Sequence, residues 1–177
     1  MPPLPPLDSD TQCPAPGRYP ATWEEVEASL VRAERFRTSS TRPGLWEELR
    51  SHRALIECLF GSVRRIWLAG SFVSGKLDPS DVDVAYLLDA SVYGAVSDPD
   101  DLVDVANLGD REWCVKHGMR IDAYVLSLPA TVNFNDLGVV GAMAAGDSEV
   151  FQILGLYDEI WQRTRYTRRR GYLEVSL

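Results

Sequence analysis

Apolar positions along the chain follow two periods. Val26, Leu30, Ala33 and Phe36 recur at helical spacing behind Thr22-Trp23-Glu24-Glu25, a capping box that predicts a helix over 22–38. Pro43-Gly44 is expected to break the chain. A second helix should then run over 45–60, with Leu45, Leu49, Ala54, Leu55, Cys58 and Leu59 apolar and Gly61 as its stop. Period two takes over next. Residues 63–69 read as a strand, Gly70-Ser71 as a sharp exit, 72–76 as the start of a short helix, and 81–88 as a second strand led in by the Asp78-Pro79-Ser80 turn. Residues 89–101 read as a loop, and 102–108 and 111–117 as short helices. Residues 119–126 read as a third strand closed by Pro129. Residues 132–146 show no single period. A helix is expected over 149–161, capped by Asp147 or Ser148, and the alternating residues 172–177 suggest a final strand.

This mixture predicts an α+β or α/β fold: a small mixed sheet flanked by helices. The first twenty residues are proline-rich and lack periodicity, so they read as a disordered arm. Residues 21–177 then form one domain, with a helical part over 22–60, a core over 62–126 and a C-terminal extension over 127–177. A length of 177 residues suits one core and is short for two.

Composition narrows the setting. No apolar run is long enough to span a membrane, and Met1-Pro2-Pro3-Leu4-Pro5-Pro6 lacks the features of a signal peptide. Cys13, Cys58 and Cys114 have no metal-binding spacing, and their odd number argues against a disulfide framework, so a cytoplasmic location is expected. Net charge of −8 disfavours a general nucleic-acid coat. Between Asp78 and Glu112 stand ten acidic residues and one basic one, Arg111. Arg163, Arg165, Arg168, Arg169 and Arg170 make a basic strip with Tyr166 and Tyr172. It reads equally as an RNA-binding surface, a solvated tail or the face for an acidic partner.

Asp81 and Asp83 share one face of an otherwise apolar strand, where carboxylates are costly to bury unless paired or metal-bound. Carboxylate oxygens suit Mg²⁺, which takes phosphates as further ligands, and a Gly-Ser turn lets the backbone approach phosphates closely. Together they point to phosphoryl transfer.

Ala69-Gly70-Ser71, nine intervening residues and Asp81-Val82-Asp83-Val84 resemble the signature of the polymerase-beta-like nucleotidyltransferase superfamily. Arg120-Ile121-Asp122-Ala123-Tyr124-Val125-Leu126 looks like the later strand that carries the family's third carboxylate. The resemblance covers roughly residues 62–126. It implies Asp81, Asp83 and Asp122 as catalytic residues holding two Mg²⁺ ions, with Gly70 and Ser71 on the triphosphate of an NTP. Asp122 would also help remove the acceptor's proton. The implied reaction moves a nucleoside monophosphate from an NTP to a hydroxyl of an RNA end, a protein or a small molecule. Small stand-alone relatives act in toxin–antitoxin or phage-defence pairs, which implies an antitoxin-like partner protein. A silent module of the same fold, binding nucleotide or a partner without catalysis, is the alternative.

The pattern departs from the family where Phe72-Val73-Ser74 stands in place of a common arginine, leaving Lys76 as the substitute phosphate contact or as a solvated loop lysine. Gly70, Gly75 and Lys76 also match P-loop spacing. Leu77 occupies the position where a P-loop carries Ser or Thr, and Asp78-Pro79 leaves no room for its helix. Cys58 reads as a packing residue, His52 as a surface residue and His117 as a helix-end residue.

Overall fold

Alternation along the strands builds two faces of one five-stranded sheet in the computed structural model, which describes residues 5–128, 145–163 and 169–177. The elements are β1 (Gly17–Thr22), α1 (Trp23–Leu30), α2 (Arg42–Phe60), β2 (Arg65–Ala69), β3 (Val82–Asp89), α3 (Ala90–Tyr93), α4 (Pro99–Leu108), α5 (Arg111–Lys116), β4 (Ile121–Leu128), α6 (Ala145–Trp161) and β5 (Gly171–Ser176). The sheet order is β1-β5-β2-β3-β4, with β1∥β5 and β3∥β4 parallel and β2 antiparallel to both its neighbours. The sheet is therefore mixed, as expected. Residues 132–144, and Arg165, Tyr166 and Arg168 of the basic strip, lie outside the described residues.

One face carries Ile66, Leu68, Val82, Val84, Tyr86, Leu88, Leu173 and Val175 against Val26, Leu30, Leu45, Trp46, Leu49 and Ile56 of α1 and α2. The other carries Trp67, Ala69, Ala85, Leu87, Leu126 and Tyr172 against Leu154 and Trp161 of α6. By the same alternation Asp83 and Asp122 fall on the α6 face, at its end.

The capping box forms: the Glu25 amide donates to Thr22 Oγ1 at 3.2 Å, and the Thr22 amide to Glu25 Oε2 at 2.8 Å. The helix ends at Leu30 rather than 38 because a buried guanidinium takes its last carbonyl: Arg42 Nη1 donates to Leu30 O at 2.9 Å. Phe36, in a 3-10 turn at Glu34–Phe36, lies over that guanidinium at 3.7 Å. Pro43 does not break the chain ahead of α2. It sits in the first turn of α2, where its missing N–H costs nothing.

The arm expected over 1–20 gives way at residue 17 to β1, an edge strand parallel to β5, where Pro20 needs no donor of its own. Upstream, the Gly171 amide donates to Pro14 O at 2.8 Å and the Gly75 amide to Gln12 O at 2.7 Å. Within 89–101, expected as loop, α3 and the start of α4 form instead, the latter capped by Asp98 accepting from the Asp100 amide at 2.9 Å.

His52 and Cys58 exchange their expected places: His52 is buried and Cys58 exposed. His52 Nε2 lies 2.9 Å from the Leu108 carbonyl, which can only accept, so Nε2 carries the proton and Nδ1 accepts from the Tyr86 hydroxyl at 2.8 Å. Both ring nitrogens are satisfied in the neutral form, and burial lowers the His52 pKa from 6.5. A lowered pKa means that this contribution to stability is present above 6.5 and lost as the pH falls below it. The unfolding free-energy difference between wild type and His52→Gln is therefore expected to shrink between pH 7.5 and 5.5, as read by urea titration; an unchanged difference would contradict the neutral buried ring.

Candidate active site

The parallel pairing of β3 and β4 sets Asp83 opposite Asp122, and the antiparallel pairing of β2 and β3 sets Ala69 opposite Asp83. Asp81 stands one residue before β3 begins. This register is anchored from α2. Glu48 accepts from the Arg120 amide at 2.7 Å and from Arg120 Nη2 at 2.5 Å, while the Val82 amide donates to Arg120 O at 3.0 Å. Three carboxylates from two strands and their approach therefore neighbour one another at one end of the sheet.

Gly70 has φ +73, and a Cβ added there would lie 1.5 Å from Asp83 Oδ2. The Asp83 carboxylate thus packs flush on the Gly70 backbone. Gly70→Ala is expected to expel that carboxylate and to cost roughly 2–4 kcal/mol, the sum of left-handed strain and overpacking. Thermal unfolding checks the loss, and unchanged stability would contradict this packing.

The expected helix after Ser71 does not form; residues 71–75 are turn and bend. The reason is Arg42. Its five N–H groups donate to five carbonyls: Leu30 at 2.9 Å, Phe72 at 2.8 Å, Ser74 at 2.9 Å, Lys76 at 2.7 Å and Leu77 at 3.3 Å. Carbonyls that a helix would use internally are turned toward one side chain. With no helix here, the P-loop alternative loses the helix N-terminus that such a site requires. Burial, and next Arg35, lower the Arg42 pKa to about 10, so it stays charged at neutral pH.

Among the described residues, no group accepts from the amides of Ser71, Phe72 or Val73. Ser71 Oγ is covered and has no hydrogen-bond partner. Buried polar atoms are normally paired, so this turn has unused capacity for an anion. Lys76 is exposed, and among the described residues no ion pair holds its ammonium.

Burial foremost, then the Asp81 charge, push the Asp83 carboxyl up to about 6; Asp122 adds to the rise, and Arg170 and Arg111 oppose it. Burial also raises Asp122, with Arg111 opposing and Asp81 adding. Arg111 Nη2 lies 3.2 Å from Asp81 Oδ2. Among the described residues, no three His, Cys, Asp or Glu side chains already surround a common ligating point. Asp81, Asp83 and Asp122 are the side chains that would hold a divalent ion. They fit one in donor chemistry: hard oxygens, mutual repulsion, and a turn with free amides beside them.

Sequence reasoning missed Arg42 and Tyr124. Tyr124 follows Asp122 by two residues on the same face, 39% exposed, with its ring edge-on to Tyr157 and Trp161 at centroid distances of 5.7 and 6.1 Å. His117 is a helix-end residue, its Nδ1 donating to Trp113 O at 2.8 Å. A cavity of about 450 Å³ walled by Leu59, Phe60, Val92, Val96 and Asp98 includes none of the three carboxylates.

The family of unknown function DUF6932 matches residues 5–176, and the chain belongs to it. No curated protein and no solved structure matches the chain significantly.

Proposed function

We propose that this member of the DUF6932 family is a Mg²⁺-dependent nucleotidyltransferase that moves a nucleoside monophosphate from an NTP to a hydroxyl acceptor. The observation that carries the reading is the strand register, which sets Asp83 against Asp122 and, across β2, beside the turn at Gly70. Asp81, Asp83 and Asp122 would hold the metal, which when bound supplies positive charge to the phosphates and acidifies the acceptor hydroxyl. The amides of Ser71, Phe72 and Val73 and the Ser71 hydroxyl bind the triphosphate. Asp122, opposite Asp83 across the β3–β4 pairing, takes the acceptor proton. The acceptor oxygen bonds to the α-phosphorus as the bond from that phosphorus to the α,β-bridging oxygen breaks, and pyrophosphate leaves.

The Arg111–Asp81 ion pair favours a second reading, a silent module that binds nucleotide without transferring it. Incubation with Mg²⁺, each of the four labelled NTPs, and total RNA or protein separates the two. Transferred label that disappears in Asp81→Asn and Asp83→Asn supports the enzyme; tight binding of NTP with no transfer supports the module. Beyond this, no helix among the described residues is long and apolar enough to cross a membrane.

A further inference from the structure

The lone cation of the acidic stretch stands against the carboxylates themselves. Arg111 is the first residue of α5, whose cap Asp110 accepts from the Glu112 and Trp113 amides at 2.7 and 3.3 Å and so fixes where the arginine starts. Its guanidinium meets Asp81 at 3.2 Å with the arginine side chain 53% exposed. Its field also reaches Asp83 and Asp122. No cation stands at 72–74, where the turn would meet a triphosphate, and Lys76 points into solvent without a partner among the described residues.

We infer that Arg111 is a resident counter-ion of the carboxylate centre that is displaced from Asp81 by the divalent metal and then binds the NTP triphosphate. The inference rests on the nucleotidyltransferase reading and deepens it. A half-exposed ion pair contributes little, so Asp81 can release the guanidinium at small cost. A divalent cation competes for the same oxygens with twice the charge, and once it is in place the centre holds Arg111 far less strongly. The triphosphate then offers paired oxygens that the planar fork of a guanidinium matches bidentately. One side chain would thereby hold the empty carboxylates together and later bind the substrate, linking metal entry to nucleotide capture.

The test is calorimetric titration of wild type, Arg111→Gln and Arg111→Lys, first with Mn²⁺ alone and then with a non-hydrolysable NTP analogue in saturating Mn²⁺. In Arg111→Gln, Mn²⁺ alone is expected to bind roughly threefold to tenfold tighter, because a competing cation is gone. The analogue should bind about tenfold or more weakly, because a charge-assisted contact is lost. Arg111→Lys should recover part of the nucleotide affinity. Opposite shifts of the two affinities support the hand-over, since a merely structural role would weaken both together. Unchanged or weaker Mn²⁺ binding in Arg111→Gln overturns it, as does unchanged nucleotide affinity. If wild type binds neither Mn²⁺ nor the analogue, the nucleotidyltransferase reading itself fails and the hand-over with it. Wild-type binding that Arg111→Gln leaves unaltered confines the failure to Arg111.

Discussion

Asp83→Asn is expected to unfold at a higher temperature than wild type at pH 7.5 without divalent ions and, assayed with Mg²⁺, to lose label transfer by on the order of 10³-fold. The stability half follows from proton linkage. The Asp83 carboxyl titrates at about 6 in the folded chain against 3.8 when unperturbed. A carboxyl with a raised folded pKa is stabilised relative to the unfolded chain only while protonated, so stability is lost as pH rises from 3.8 through 6. At pH 7.5 the folded state bears the whole cost of an ionised, half-buried group beside Asp81 and Asp122. An uncharged isostere should recover on the order of 1–3 kcal/mol, or roughly 2–10 °C in Tm for a chain of this size. The advantage should shrink as the pH is lowered to 5. A Tm that falls in Asp83→Asn would mean that the carboxylate is paired rather than exposed to like charge.

Arg42→Met is expected to be the most damaging single change away from the carboxylates. The side chain is fully buried, and its removal leaves five carbonyls, those of Leu30, Phe72, Ser74, Lys76 and Leu77, without their donor. Buried acceptors left unpaired cost about 1–3 kcal/mol each before relaxation, so a total loss above about 4 kcal/mol is expected. Arg42→Lys keeps the charge but supplies three donors on one point, and should restore only part of the loss. Urea unfolding of the three proteins decides it. Wild-type stability in Arg42→Lys would mean that charge, rather than the five-way fork, holds the turn after Gly70.

These two residues also mark what could be read from the chain and what could not. The capping box at Thr22, the two aspartates separated by one apolar residue, and the Gly-Ser turn are local patterns, and each forms where its spacing puts it. Pairing of Asp83 with Asp122 joins residues far apart in sequence. It could be proposed only because both interrupt apolar runs in the same way. Arg42 had no such signal. Next to Pro43 it reads as an ordinary loop arginine, and only tertiary packing reveals that it ends α1 early and keeps residues 71–76 out of a helix. His52 misled for a related reason: a histidine two residues from Arg50 and beside Arg53 looks solvated until Tyr86 and Leu108 arrive from distant elements to pair both its nitrogens. Proline content made residues 17–20 look unstructured, because composition does not reveal that β5 is there to pair with them.

The claim beneath all of this is that Asp81, Asp83 and Asp122 close on a divalent ion beside the Gly70-Ser71 turn. A crystal structure with Mn²⁺ and a non-hydrolysable NTP analogue tests it most directly, by the anomalous signal of the metal. The account predicts Mn²⁺ within about 2.0–2.3 Å of oxygens from those three side chains and phosphate oxygens against the amides of Ser71, Phe72 and Val73. Metal and nucleotide bound elsewhere, with Arg111 still seated on Asp81, would contradict it.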